Sequence, residues 1–137
     1  MLKIIAIIVE SELRKNNNSK KLKQSIKKRG RKMEYKFTQQ NFNDEVMNSN
    51  VPVLIDFYAD WCMPCKMMGS AVKKLADEYE GKAKVGKVNV DEQPELASQF
   101  GVRSIPFFAI LKDGKMVDNA LGAMPKAALE NKLKKVL

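Results

Sequence analysis

The sequence predicts an α/β domain in which a mixed β-sheet lies between helices. From residue 34 onward, strand-like and helix-like patterns of apolar residues alternate along the chain. Residues 53–58 form an almost continuous apolar run, as expected for a strand that is covered on both faces. Further along, the Asp113-Gly114 pair separates two apolar runs and predicts a β-hairpin. These patterns together give about five strands and about four helices.

The first half of the domain contains two strand–helix alternations. The second predicted helix is the clearer one, because its apolar residues recur every three or four positions and Gly81 stands just past its end. The elements predicted in this half are a strand at 34–37, a weakly amphipathic helix at 40–48, a strand at 53–58 and a helix at 66–79.

The second half adds one more alternation, then the hairpin and a final helix. Gly101 is placed to close the short helix before the hairpin. Lys134 and Lys135 stand near the negative end of the last helix, where cations are favourable. The predicted elements are a strand at 84–90, a helix at 93–100, hairpin strands at 107–111 and 116–121, and a helix at 126–137.

The basic charge is concentrated in the N-terminal segment. Residues 1–32 hold eleven of the 25 Lys and Arg side chains and two of the 16 acidic ones, so the net charge of +9 belongs to this segment. Residues 33–137 are neutral overall. We therefore expect two parts, a basic and poorly ordered extension at 1–32 and a folded domain at 33–137.

The extension gives little sign of a targeting or binding function. Its apolar run at 4–9 is too short to span a bilayer and lacks a signal-peptide cleavage site. A basic tail can bind nucleic acid or anionic lipid by charge alone, which keeps a binding module as an alternative function. No aromatic residue is interleaved for base stacking, so we expect no specific nucleic-acid partner.

Cys62 and Cys65 are the residues that carry the chemistry. They are the only two cysteines, and the chain has no histidine, which excludes Ser/His and Cys/His catalysis. As a crosslink the pair would close too short a loop to stabilise the fold much. As zinc ligands they would need two more from a second chain, so no metal is expected. A reversible dithiol/disulfide pair is therefore the favoured interpretation.

The position of the pair favours a reactive thiol. Cys62 follows the buried strand and precedes a helix, where unpaired backbone N–H groups and the positive end of the helix dipole favour a thiolate. Pro64 suits the first helical turn, because it has no N–H to lose. Cys65 is then held close enough to form a disulfide with Cys62.

Asp56 interrupts the apolar strand six positions before Cys62. A buried carboxyl usually has a raised pKa, and beside a dithiol it could take the proton from Cys65. The alternative is an ordinary carboxylate at the strand edge, satisfied by solvent.

The segment Asp56-Phe57-Tyr58-Ala59-Asp60-Trp61-Cys62-Met63-Pro64-Cys65-Lys66 resembles the active-site segment of the thioredoxin family. Four later segments match that family in order and spacing, so that the resemblance covers roughly residues 34–137. They are Lys87-Val88-Asn89-Val90-Asp91, Phe100-Gly101-Val102-Arg103-Ser104-Ile105-Pro106, Lys112-Asp113-Gly114 and Leu121-Gly122-Ala123.

The resemblance implies a thioredoxin fold and a set of site residues. It implies that Asp56 is a buried proton acceptor with Lys87 near it. The alternative for Lys87 is an ordinary strand lysine with its head in water. It implies a cis peptide bond between Ile105 and Pro106, packed against the disulfide. The expected substrate-binding residues are Trp61, Met63, Pro64, Ile105, Pro106, Gly122 and Ala123. Trp61 could also be simple packing, and Gly122 a strand-end glycine.

The sequence also departs from the family pattern. Met63 stands where the family usually has Gly, and adds an apolar side chain at the mouth of the site. Tyr58 replaces a common Trp, and Phe107 a common Thr. None of these changes touches the thiols, so they bear on partner choice more than on reaction type.

The predicted function is reduction of protein disulfides by a cytoplasmic, monomeric member of this family. Cys62 attacks and Cys65 resolves the mixed disulfide. No cofactor is expected to be bound, and the family implies that electrons come from a thioredoxin reductase. An exported oxidant or isomerase with the same fold is the rival within the family.

Overall fold

The computed structural model describes residues 34–137. The basic extension predicted at 1–32, with its apolar run, lies outside the described residues. Within the described range, none of the helices has the length and apolar character that a membrane crossing requires.

Residues 34–137 form a five-stranded mixed sheet with helical elements packed on it. The strands are β1 (Tyr35–Lys36), β2 (Val53–Tyr58), β3 (Lys84–Asn89), β4 (Phe107–Lys112) and β5 (Lys115–Leu121). The helical elements are a π-helical turn (Asn43–Met47), α1 (Met63–Glu78), α2 (Pro94–Gln99) and α3 (Lys126–Lys134). The strand order is β1-β3-β2-β4-β5. The β1–β3 and β2–β3 pairs are parallel, and the β2–β4 and β4–β5 pairs are antiparallel. The predicted fold class is confirmed.

Strand β2 lies at the centre of the sheet and is covered on both faces, which explains its continuous apolar run. Leu54 packs in one core cluster with residues of α1 and α3. Ile55 and Phe57 pack in a second cluster with residues of the π-helical turn and α2. Because side chains alternate along a strand, Asp56 lies on the same face as Leu54, the face covered by α1.

Two predicted helix bounds at the start of the domain differ from the structure. The helix predicted at 40–48 is a single π-helical turn, in which Asn48 N–H donates to Asn43 O over 2.9 Å. Helix α1 begins at Met63 and not at residue 66, because Cys62 caps it and Pro64 occupies its first turn.

The last helix is also shorter than predicted. Helix α3 ends at Lys134, whereas the pattern extended to residue 137. Beyond it, the N–H groups of Val136 and Leu137 donate to carbonyls only three residues back. The final turn is therefore tighter than an α-helix.

The hairpin between β4 and β5 is built as the sequence predicts. Asp113 and Gly114 both have positive φ, at 53° and 76°, and Lys112 pairs with Lys115 across them. Two consecutive positive φ values are typical of the two-residue type I′ turn, which suits the twist of the strands.

Gly86 on β3 is required by close packing. A Cβ atom at this position would lie 2.5 Å from the Phe37 ring and 2.8 Å from the Cβ of Tyr35. The missing side chain therefore allows β1 and the residue that follows it to pack against β3.

Candidate active site

Cys62 and Cys65 form a disulfide at the start of α1, with their Cα atoms 5.3 Å apart. Cys62 has extended backbone geometry and is the N-cap residue, and its Sγ accepts the N–H of Cys65 over 3.3 Å. The sulfur thus lies where the helix presents an unpaired donor and its positive end. Both residues are nearly buried, with 3% and 4% exposure. No group of three or more His, Cys, Asp and Glu side chains suited to a metal ion occurs in the described part of the chain.

The loop before β4 covers the disulfide. The Ile105-Pro106 peptide bond is cis, as the resemblance implies. Ile105 packs against the small cluster that contains both cysteines, and its carbonyl oxygen lies 3.8 Å from Cys62 Sγ. Gly122, with φ of 86°, donates its N–H to the carbonyl of Pro106 over 2.8 Å, which ties the end of β5 to this loop.

Asp56 is a buried carboxyl in the middle of β2, with 0% exposure. Neither carboxyl oxygen has a hydrogen-bond partner among residues 34–137. Burial raises the pKa of Asp56 from 3.8 to about 7, with Lys87 acting to lower it and Glu34 to raise it. The structure therefore excludes the alternative of a solvent-satisfied carboxylate at a strand edge.

Lys87 lies beside Asp56 in the parallel register of β2 and β3. Its ammonium is 3.8 Å from Glu34 Oε1 and 4.8 Å from the centre of the Tyr58 ring. The Lys87 side chain is 27% exposed, so its head group is held between protein groups and is not simply in water. Glu34 was not among the predicted site residues, because its proximity to Lys87 depends on strand pairing between distant segments.

An exposed apolar surface surrounds the disulfide. Trp61 and Met63 are 69% and 65% exposed, so neither is a packing residue, and Pro64 is also exposed. On the far side, Gly122 is half-buried and Ala123 exposed. Met67, which was not among the predicted site residues, is 74% exposed and lies one helical turn after Met63.

The orientation of Trp61 is fixed by a residue whose role was not predicted. The indole N–H donates to Asp91 Oδ2 over 2.9 Å. The Asp91 N–H in turn donates to the side chain of buried Asn89 over 2.9 Å. Asn89 and Asp91 were noted only as part of a matching segment.

A shallow groove of about 150 Å³ runs from the indole toward the cis-proline loop. Two of its lining residues, Trp61 and Ile105, were predicted to lie at the substrate-binding surface. The other lining residues are Val90, Ala97, Val102, Arg103 and Ser104. Among them, Arg103 and Ser104 carry polar side chains, and neither was among the predicted site residues.

Comparison with known proteins agrees with this geometry. The family model described as Thioredoxin matches residues 34–135. The chain belongs to the thioredoxin family. Proteins of this family that it resembles include Thioredoxin 1 of Nostoc sp. strain PCC 7120, which is 52% identical over 100 residues, or 73% of this chain and 94% of the relative. Others are a thioredoxin of Chlorobaculum thiosulfatiphilum, 48% identical over 72% of this chain and 92% of the relative, and one of Porphyra purpurea, 46% identical over 73% and 94%.

The family and the disulfide together define the reaction. The protein is a thioredoxin-family protein-disulfide oxidoreductase, and its redox-active pair is Cys62 and Cys65. The predicted dithiol–disulfide exchange is thereby confirmed.

Proposed function

We propose that the protein reduces disulfides in other proteins, with Cys62 as the attacking thiol and Cys65 as the resolving thiol. The Cys62 thiolate attacks a substrate disulfide, and a mixed disulfide forms as one substrate thiolate leaves. The Cys65 thiolate then attacks Cys62 Sγ, which forms the Cys62–Cys65 disulfide and releases the second substrate thiolate. Two electrons pass to the substrate. The observation that supports this order best is the Cys62 sulfur at the N-cap of α1, accepting the Cys65 N–H.

Asp56 is the proposed base for the second step. The Cys65 thiol must lose its proton before it can attack, and the Asp56 carboxylate takes that proton. Its pKa of about 7 supports this role, because a general base is most effective when its pKa lies near the working pH. Lys87 is the charged group beside it, and we assign it a supporting role in the same proton transfer.

Substrate proteins dock on the surface around the disulfide. The backbone of Ile105 hydrogen-bonds an extended substrate peptide, an assignment supported by its carbonyl oxygen lying 3.8 Å from Cys62 Sγ. Trp61, Met63 and Pro64 contact the substrate on one side, and Gly122 and Ala123 on the other. The exposure of Trp61 and Met63 supports this assignment, since large apolar side chains in a contiguous exposed patch mark contact sites.

The remaining assignments concern the electron donor, the oligomeric state and the cellular compartment. The electron donor is a thioredoxin reductase, itself supplied by NADPH or ferredoxin, and the protein needs no bound cofactor. It acts as a monomer in the cytoplasm. The relatives named above support the assignment of the electron donor, since the thioredoxin family is reduced by thioredoxin reductase.

The test is reduction of insulin driven by dithiothreitol. Cys62→Ser should abolish turnover, and full turnover in this variant would refute the central claim. Cys65→Ser should accumulate a covalent complex with substrate, which non-reducing electrophoresis detects. The absence of such a complex would remove the resolving role.

The reduction potential separates the proposed reductase from an oxidant or isomerase. We expect a value close to the thioredoxin range of about −270 mV. A value near about −180 mV, typical of a disulfide isomerase, would contradict the reductase assignment. Equilibration with glutathione buffers measures it.

A further inference from the structure

Lys87 has two carboxyl groups near it, those of Glu34 and Asp56, and its ammonium is within ion-pair distance of Glu34 only. It is 3.8 Å from Glu34 Oε1, within ion-pair distance. Asp56 is Lys87's in-register neighbour on β2, but both of its oxygens are without a hydrogen-bond partner in the described range. The cation that could satisfy the buried carboxylate is therefore directed toward a different acid.

Glu34 reaches Lys87 because of the strand order. The residue directly precedes β1, and Tyr35 pairs with Gly86 on β3 in parallel register. The Glu34 side chain is only 16% exposed, less than that of Lys87. An ion pair removed from water to this degree is screened less than a surface pair. Its effect on neighbouring charges is correspondingly stronger.

We propose that Glu34 is a positioning residue that holds the Lys87 ammonium away from Asp56 and so keeps this carboxyl able to accept a proton at neutral pH. The inference rests on the proposed role of Asp56 as the base for Cys65. Glu34 acts in two ways, by drawing the cation away and by placing a second negative charge nearby. Both oppose ionisation of Asp56, in agreement with the direction in which Glu34 moves its pKa.

The groups that face Asp56 come from its own strand and from each element packed against it. Lys36 on β1 also lies beside Lys87, but its ammonium pairs with Glu92 at 3.5 Å. Cys65 does not titrate while it is in the disulfide. Within residues 34–137, the charged groups that act on Asp56 are Lys87 on β3 and Glu34 before β1, and its register partner on β4 is uncharged Phe108. The face of β2 that carries Asp56 is covered by α1, the helix to which Cys65 belongs.

The oxidised protein gives a direct test, because Asp56 then titrates without the thiols. Carboxyl ¹³C NMR follows the midpoint of Asp56 in wild type, Glu34→Gln and Glu34→Asp. With Glu34→Gln the midpoint should fall by about one pH unit, the lower end of the effect of an adjacent cation. Glu34→Asp keeps the charge but shortens the reach, so it should lower the midpoint by a smaller amount. If neither variant lowers it, the proposal is overturned.

One further background and one control variant separate positioning from a simple charge effect. In Lys87→Met, the fall caused by Glu34→Gln should be smaller, and an equal fall would show that Glu34 does not act through Lys87. The matched control is Glu45→Gln, which removes the acid that pairs with Lys84 on the same strand at 3.1 Å. It should leave the Asp56 midpoint unchanged, and a fall as large as that of Glu34→Gln would refute the specific role of Glu34.

Turnover distinguishes failure of this inference from failure of the proposed function. In insulin reduction, Glu34→Gln should move the acid limb of the pH profile to lower pH. In an Asp56→Asn background, Glu34→Gln should not shift the acid limb of the pH profile. If Asp56→Asn alone has the wild-type pH profile, the role of Asp56 fails, while the NMR titration still decides whether Glu34 controls its ionisation.

Discussion

Replacing Asp56 by Asn should stabilise the protein at alkaline pH. The wild-type carboxyl is fully buried, and burial raises its pKa to about 7 in the folded state, against 3.8 for the free side chain. Between these two values the folded chain holds a proton that the unfolded chain has lost. The stabilising contribution of the protonated group is thus complete below about pH 4 and disappears as the pH rises through about 7.

The magnitude follows from the separation of the two pKa values. It is roughly three pH units, and each unit corresponds to about 1.4 kcal/mol. Above pH 8, wild type should therefore be less stable than Asp56→Asn by about 4 kcal/mol, whereas near pH 4 the two should differ little. Asn has nearly the shape of the protonated carboxyl but no charge to desolvate, so it removes this pH dependence with little change in packing.

The assay is urea unfolding of both oxidised proteins, followed by circular dichroism between pH 4 and pH 9. Oxidation removes the titration of the thiols from the comparison. The difference in unfolding free energy should grow steadily between about pH 4 and pH 7 and then stay constant. A difference that is the same at every pH would refute the reasoning, because it would show that Asp56 titrates alike in the folded and unfolded chains.

Two further predictions concern packing and the indole. Gly86→Ala should lower the unfolding free energy by about 1–3 kcal/mol or more, because the added Cβ would meet the Phe37 ring. Gly69→Ala in α1 should raise it by up to about 1 kcal/mol, because a Cβ added there would meet no neighbouring side chain or strand within 4 Å. Equal effects of the two substitutions in urea titrations would contradict this prediction. Asp91→Ala should free the only tryptophan, Trp61, and lower its fluorescence anisotropy while changing stability by less than about 1 kcal/mol. An unchanged anisotropy would mean that the hydrogen bond does not hold the indole.

Most of the fold could be predicted because local sequence and tertiary packing agree. The uninterrupted apolar run of β2 indicates a strand between two layers, and Asp113-Gly114 specifies the turn that is observed. The start of α1 shows where the spacing of apolar residues fails to locate the end of a helix. The apolar repeat that predicts the helix begins at Met68 and so suggests a late start, although Cys62 and Pro64 carry the capping signal.

The π-helical turn could not be predicted, since its hydrogen-bond pattern is not encoded by spacing alone. Five residues close a wider turn that places Val46 in the core beside Phe42. Both residues lie within the weakly amphipathic segment predicted at 40–48, and the pattern was right to that extent. The choice between α and π geometry depends on packing against the sheet.

The candidate site was predictable where its residues are consecutive or carry unusual chemistry. The cysteine pair and the buried Asp56 were apparent from one short segment. Glu34 and Asp91 were not, because their partners, Lys87 and Trp61, are distant in sequence and meet them only through sheet pairing and loop geometry. Parallel register in particular cannot be deduced from one strand alone.

The central position of β2 has a consequence for how activity arises during folding. Its two neighbours in the sheet come from well separated parts of the chain, so that Asp56 meets Lys87 and Phe108 only after two long loops have closed. The entropic cost of closing these loops comes first, and the contacts that offset it form only after closure. Cys62 and Cys65 are close in sequence and can meet in an unfolded chain. Asp56 and the loop that covers the disulfide reach their places beside these cysteines only when the sheet has formed. Catalytic turnover should therefore return later in refolding than helical structure does, and its recovery would time the closure of the middle of the sheet.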